Sequence, residues 1–161
     1  MEIRKLQKGD PRRSFRSGVA TLDEYLSRYA DKNQFRLHVG VTYVAIEDSP
    51  ILGYATVTMS SLDAEKLPGR GYPRYPIPVL LVARLATDVS ARGRGVGVAL
   101  LAKCGKMGLA LRDEVGCIGL VTDAKDEDAV SFYAHHRFIV LDSPAAEGRT
   151  TLMFCPLGVF E

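Results

Sequence analysis

Val79-Leu80-Leu81-Val82-Ala83-Arg84-Leu85-Ala86-Thr87 leads, through residues 88–91, into Arg92-Gly93-Arg94-Gly95-Val96-Gly97. The first run is nearly continuously apolar, as a strand covered on both faces must be, with Arg84 as the exception. Behind the second, apolar residues at 96, 100, 104, 107 and 111 mark one face of a helix ending near Arg112. The chain therefore passes from a buried strand through a glycine-rich turn into an amphipathic helix. Glycines permit close approach and unusual dihedrals, and the first free N–H groups of the helix, reinforced by its dipole, bind anionic oxygens. The sequence is not a phosphate-binding GxxxxGK[ST] loop, and Val98 stands where a dinucleotide fingerprint requires its third glycine. By itself the turn is equally compatible with an unliganded strand-to-helix connection.

Working outward, residues 67–78 hold Pro68, Pro73, Pro76 and Pro78 with Gly69 and Gly71, which excludes a helix or a central strand and predicts a loop feeding the buried strand. Residues 41–47 and 51–59 are β-branched runs separated by Asp48-Ser49-Pro50, a hairpin signal. A short strand is expected at 2–6. One or two helices follow the basic loop 8–16, on a stripe of Val19, Leu22, Tyr25, Leu26 and Tyr29, with Ser17 or Thr21 as the cap. Strands at 117–122, 138–141 and 150–155 and a helix at 126–136 complete the chain. Its 161 residues read as one domain, 1–161, of mixed α/β composition.

Composition excludes several classes. There is no apolar run of membrane-spanning length and no apolar signal core near Met1, so a cytoplasmic protein is expected. Cys104, Cys117 and Cys155 are widely spaced in apolar sequence and read as buried thiols in a reducing compartment. No CxxC or HExxH spacing occurs, so no metal is expected. The net charge of +2 conceals blocks of +4 over 1–36, −3 over 37–63, +6 over 64–106 and −5 over 107–161. Whether the two basic blocks meet on one face is the question this raises.

Arg-x-x-Gly-x-Gly at 92, 95 and 97, after a strand ending Arg84-Leu85-Ala86-Thr87, resembles the acetyl-CoA pyrophosphate loop of the GNAT acyltransferase superfamily. Asp128-Ala129-Val130-Ser131-Phe132-Tyr133-Ala134-His135-His136-Arg137-Phe138 resembles the same family's second cofactor helix and the start of the strand after it. The likeness covers roughly residues 41–155. It implies an α/β (α+β) fold: a mixed central sheet with splayed central parallel strands, ending near Thr87 and Thr122, flanked by helices. One departure is Arg137, where the family usually has glycine. A left-handed residue ends the helix there, at a cost of roughly 1 kcal/mol for a non-glycine, which leaves a different helix ending open.

The resemblance assigns roles. Acetyl-CoA is the donor, held by Leu85, Ala86 and Thr87 along the acyl end and by Arg92, Gly93, Arg94, Gly95, Val96 and Gly97 at the pyrophosphate. Asp126, Ala129 and Phe132 flank the pantetheine or adenine side. Tyr133 is the candidate general acid: a phenol with a pKa of about 10 stays protonated at neutral pH and can donate to a thiolate whose conjugate acid lies near 8.5. His135 and His136, in the last helical turn, are better read as dipole partners.

A narrower likeness concerns the acceptor. Phe15-Arg16-Ser17-Gly18-Val19-Ala20-Thr21-Leu22-Asp23-Glu24-Tyr25-Leu26, together with the proline-led strand 76–86, resembles the GNAT toxins of bacterial toxin–antitoxin pairs, with Thr87 in place of their usual Val. That implies acetylation of the α-amine of aminoacyl-tRNA, a cognate ribbon-helix-helix antitoxin and a homodimer. The amine, with a pKa near or below about 8, needs no strong base, although Glu47 or a water could contribute. The basic blocks supply Arg12, Arg13, Arg16, Lys32, Arg36, Arg70 and Arg74 as tRNA contacts, with Lys103 and Lys106 further along the chain. Two other readings stay open: an acetyltransferase of a small amine or protein N-terminus, which predicts an acidic acceptor cleft, and a non-catalytic acyl-CoA-binding module, in which Tyr133 is dispensable.

Overall fold

A computed structural model describes residues 1–69, 71–142 and 149–161. Seven strands, β1 (Glu2–Lys5), β2 (Val41–Ile46), β3 (Ile51–Leu62), β4 (Ile77–Thr87), β5 (Gly119–Ala124), β6 (Ile139–Asp142) and β7 (Thr151–Pro156), are hydrogen-bonded in the order β1-β2-β3-β4-β5-β7-β6. The β1–β2, β2–β3, β5–β7 and β6–β7 pairs are antiparallel, whereas β4 and β5 run parallel. Helices α1 (Ala20–Glu24) and α2 (Ala30–Lys32) precede β2, α3 (Val96–Glu114) follows β4 and α4 (Glu127–His135) follows β5. This is the mixed-sheet α/β fold that the sequence implies. The β4–β5 partners are Leu80 with Leu120 and Leu81 with Val121. Among the described residues that pairing extends no further, although β4 continues to Thr87 and β5 to Ala124.

The chain divides into two compact units, residues 1–58 with 82–103 and residues 59–81 with 104–161. In the first, the core gathers Leu6, Phe15, Tyr25, Leu26, Val44, Tyr54 and Ala86. Phe15 meets Tyr54 edge-on at 5.5 Å, burying the aromatic residue that opens the Phe15-Arg16-Ser17-Gly18 segment. In the second, Leu62, Leu67, Ile77, Val79, Val121 and Phe154 form the core. All three cysteines are buried free thiols.

Three local expectations change. The buried strand starts at Ile77 and so includes Pro78, placed in the loop by its ring; as the second residue of β4, Pro78 still accepts from the N–H of Ile118 at 3.0 Å. Neither Ser17 nor Thr21 caps the first helix, since the N-cap is Val19 and no side chain caps it. The Ser17 hydroxyl instead accepts from the Val19 N–H at 3.1 Å and donates to Asp23 at 2.6 Å. That helix is also not regular: wide π turns at Tyr25–Tyr29 and Asn33–Leu37 interrupt α1 and α2. The Tyr54 hydroxyl donates to the Leu22 carbonyl at 2.7 Å, a side-chain insertion of the kind that disturbs a helical ladder.

Arg137 adopts the left-handed conformation, φ 70°, that a glycine would supply. The Phe138 N–H bonds the Tyr133 carbonyl at 3.0 Å and the Arg137 N–H bonds the Ala134 carbonyl at 3.1 Å, the pair that defines a Schellman ending. Tyr133 and Phe138 rings lie 5.0 Å apart, the apolar contact that accompanies it. The helix ends as it would with glycine because its own carbonyls and the Tyr133–Phe138 contact offset the left-handed strain.

Candidate active site

In the first unit, the turn after β4 places Gly93 (φ 77°) and Gly95 (φ 76°) in the left-handed region, with open space where a Cβ on Gly93 would stand. Val96 and Gly97, read from sequence as turn, already belong to α3. Helix geometry leaves the N–H groups of Val96, Gly97 and Val98 without a preceding turn to bond, while the Ala99 N–H reaches the Gly95 carbonyl at 3.1 Å. A nineteen-residue helix with no acidic residue in its first turn therefore opens onto a glycine-rich loop. The chemistry of these donors, N–H groups and a dipole, fits a pyrophosphate.

The two arginines of the loop are engaged within the protein. Arg92 Nη2 donates to the Ser17 carbonyl at 2.7 Å, and Arg94 Nη2 meets Glu47 Oε2 at 2.9 Å. The residues of the Phe15-Arg16-Ser17-Gly18 segment are organised around this contact. Asp23 accepts from the Ser17 N–H at 2.9 Å, Asp88 accepts from the Arg16 N–H at 2.8 Å, and the Val89 N–H bonds the Arg16 carbonyl at 2.8 Å. Burial alone would push the Asp88 carboxyl up, but the N–H groups of Arg16 and Ser90, the Ser90 hydroxyl and the Arg16 charge together hold it below its ordinary range. Asp88 thus locks the N-terminal segment to the turn that follows β4, while Asp23 ties it to α1. Sequence reading missed this coupling, although the paired aspartates at fixed offsets from Ser17 and Thr87 were its visible signal.

In the second unit, Tyr133 is buried on α4, and its phenol is pushed up to about 12, first by burial, with a hydrogen bond from Thr122 on β5 pulling the other way. It remains a proton carrier across the neutral range. Asp126 is the N-cap of α4, accepting from the Ala129 N–H at 2.8 Å. Phe132 is partly exposed and packs against Tyr133 at 5.3 Å and His136 at 4.7 Å. Burial pushes the His136 imidazole down, towards the neutral form, with His135 adding to the effect.

The basic candidates separate into different settings. A concave groove of about 410 Å³ in the first unit is lined by Lys8, Arg12, Arg28, Lys32, Phe35 and Arg36, with Ser27 and Asp31. Arg12 is largely structural there: Nη1 donates to the Leu26 and Ser27 carbonyls, Nη2 lies 3.5 Å from Asp31, and its buried Nε has no partner. Lys8 lies 5.5 Å over the Phe35 ring. Lys8, Arg28 and Phe35 were not singled out from sequence: Arg28 and Phe35 fall in the π turns Tyr25–Tyr29 and Asn33–Leu37, and Lys8 in the loop before them. Arg13 and Arg16 are exposed, the latter folded back on the Arg13 and Phe15 carbonyls. Lys103 lies 5.6 Å over the Tyr43 ring. Arg74 lines a cleft of the second unit with Asp63, Glu65 and Tyr75. Arg70 lies outside the described residues.

Residues 38–140 match the family model described as the acetyltransferase (GNAT) domain. The chain belongs to the GNAT acetyltransferase family. Among curated GNAT relatives it is 31% identical, over 140 residues, to a tRNA-acetylating toxin of Mycobacterium tuberculosis (strain ATCC 25618 / H37Rv), covering 84% of this chain and 82% of that one. Among solved structures it resembles AtaT complexed with acetyl-methionyl-tRNAfMet, with a TM-score of 0.86, 26% identity and coverage of 98% and 95% of the two chains. It also resembles AtaTR bound with acetyl-CoA, with a TM-score of 0.82, 26% identity and coverage of 99% and 95%. The GNAT match spans the glycine-rich turn and Tyr133 alike.

Proposed function

We propose that the protein is a toxin that transfers the acetyl group of acetyl-CoA to the α-amine of aminoacyl-tRNA in the cytoplasm and so blocks translation. The carrying observation is the first unit's basic groove, in which four cationic side chains, Lys8, Arg28, Lys32 and Arg36, surround Phe35 with one carboxylate already engaged by Arg12. Such a surface follows a phosphate backbone and offers a ring to an unpaired base. The relatives named above, one a tRNA-acetylating toxin and one seen with acetylated aminoacyl-tRNA, support the same acceptor.

Acetyl-CoA supplies the acetyl group as a thioester. The N–H groups at the start of α3 hold its pyrophosphate, with Arg92 and Arg94 beside them. Backbone N–H groups of Leu85, Ala86 and Thr87 stabilise negative charge as it develops on the acyl oxygen. Tyr133 gives its proton to the departing sulfur, and the protonation state set by its burial keeps that proton available. Asp126 and Ala129 fix the start of the helix that carries Tyr133 and Phe132. A ribbon-helix-helix antitoxin is the expected partner, with a homodimer as the working assembly. Purified protein incubated with charged tRNA and labelled acetyl-CoA is expected to leave the label on the esterified amino acid.

One feature favours a second reading. The cleft lined by Asp63, Glu65, Arg74 and Tyr75 presents two carboxylates, the acidic setting that a small cationic amine would need. Acetylation of polyamines at a rate above that of aminoacyl-tRNA would select it.

A further inference from the structure

Arg84 is the one charged residue of β4. Strand alternation puts it on the face shared with Val82 and Ala86, and Ala86 packs in the core with Tyr25, Leu26 and Tyr54. Its guanidinium carbon stands 3.6 Å from the centroid of the Tyr25 ring. Tyr25 in turn stacks on Tyr54 at 6.4 Å and on the exposed Tyr29 at 6.5 Å. One planar face of the guanidinium is therefore fixed by an aromatic ring.

Its N–H edge is not. The Arg84 side chain makes no hydrogen bond or ion pair with another described residue, and its nitrogens are not among the buried atoms lacking a partner, so they reach solvent. Four other arginines of the same unit are committed within the protein: Arg4 to Asp10, Arg12 to two carbonyls, Arg92 to Ser17 and Arg94 to Glu47; unlike the exposed Arg13 and Arg36, Arg84 is partly buried. A half-buried guanidinium without a carboxylate carries a desolvation cost that a bound anion would offset, and its fork matches phosphate oxygens.

We propose that Arg84 binds the phosphodiester at the 3′ end of the acceptor RNA. The inference rests on the aminoacyl-tRNA reading and names a specific contact within it. Arg84 immediately precedes Leu85, roughly 3.3 Å along the strand from the backbone assigned to the acyl group. It contacts Tyr25, which lies on the helical stretch that also carries Arg28, Lys32 and Arg36 of the basic groove. An aminoacyl ester has no carboxylate, so the anion nearest its amine is the terminal phosphodiester. The pyrophosphate of acetyl-CoA has its own donors at the start of α3. A free amino acid carboxylate is the competing source of an anionic oxygen.

The test first measures wild-type protein on intact aminoacyl-tRNA. It then compares aminoacyl-adenosine, which lacks the phosphodiester, with the aminoacylated CCA trinucleotide, which carries it. Wild type is expected to prefer the trinucleotide in kcat/KM by at least about tenfold, the scale of one hydrogen bond to a charged group. Arg84→Gln should erase that preference while leaving the Kd for acetyl-CoA within about twofold. Arg84→Lys should keep part of it, because the charge remains and the fork is lost, and this variant decides the matter if Arg84→Gln does not fold. A preference that survives both substitutions overturns the assignment. So does Arg84-dependent acetylation of free amino acids without any effect of the phosphodiester. Wild type inactive on intact aminoacyl-tRNA overturns instead the reading on which the proposal rests.

Discussion

Arg92 Nη2 donates to the carbonyl oxygen of Ser17 at 2.7 Å, which fastens the glycine-rich turn after β4 to the segment that opens the first helix. Gly18, the next residue, has φ 91°, and a Cβ there would come within 3.0 Å of the same Arg92 nitrogen. Gly18→Ala therefore combines left-handed strain with displacement of Arg92. A loss of about 1 to 2 kcal/mol in chemical denaturation is expected, together with a higher KM for acetyl-CoA. A substitution that left both unchanged would show that the Arg92–Ser17 contact does not organise the loop.

Glu47 holds Arg94 at 2.9 Å and also lies 3.8 Å from the amino group of Met1. Both partners of the Arg94 contact are about half exposed, so its loss should alter stability little. Glu47→Gln should release Arg94 for the cofactor's phosphates. The expected result is a lower Kd for acetyl-CoA and a steeper weakening of that binding with added salt, both measured by titration calorimetry.

Tyr133→Phe keeps the ring packed against Phe138 and removes only the hydroxyl bonded to Thr122. Stability should fall by about 1 kcal/mol, whereas kcat should fall by about a hundredfold or more if the phenol supplies the proton. An active variant would favour the acyl-CoA-binding module or a different acid.

The raised phenol has a further consequence. Its folded pKa of about 12 stands above the ordinary 10, so the native state binds this proton more tightly than the unfolded chain does. The associated stability is complete below pH 10 and is lost as pH rises from 10 towards 12. Tyr54, raised further by burial, acts in the same direction. Tyr133→Phe should flatten the alkaline fall in unfolding free energy over that window, as read from denaturant midpoints at successive pH values.

Arg137 offers the opposite kind of change. At φ 70° in a Schellman ending, Arg137→Gly should raise stability by about 0.5 to 1 kcal/mol, since the conformation is already glycine's own. A thermal scan of the two proteins checks this, and destabilisation would mean that the Arg137 side chain contributes more than its backbone costs.

The order of strands and helices was legible because periodicity changes sharply along the chain, most clearly between the apolar run ending at Thr87 and the helix behind Val96. Pro78 showed the limit of local rules: a proline prohibition that holds for strand interiors gives way at the second residue of β4, where the carbonyl alone takes part in pairing. Arg137 showed another, since the helix ending there is decided by the Tyr133–Phe138 contact and not by the residue type alone. Tyr133 could be picked out by its place in a motif, but its burial and its bond to Thr122 depend on a strand from elsewhere in the chain. The basic blocks were visible as charge, whereas the division between groove-lining Lys32 and Arg36 and the internally committed Arg12 depends on π turns that carry no strong sequence signal.

The most direct test is product analysis after incubation with labelled acetyl-CoA and total charged tRNA. Label is expected on the α-amine of the amino acid esterified to tRNA, abolished by Tyr133→Phe. Label confined to protein or polyamine, with charged tRNA untouched, would contradict it.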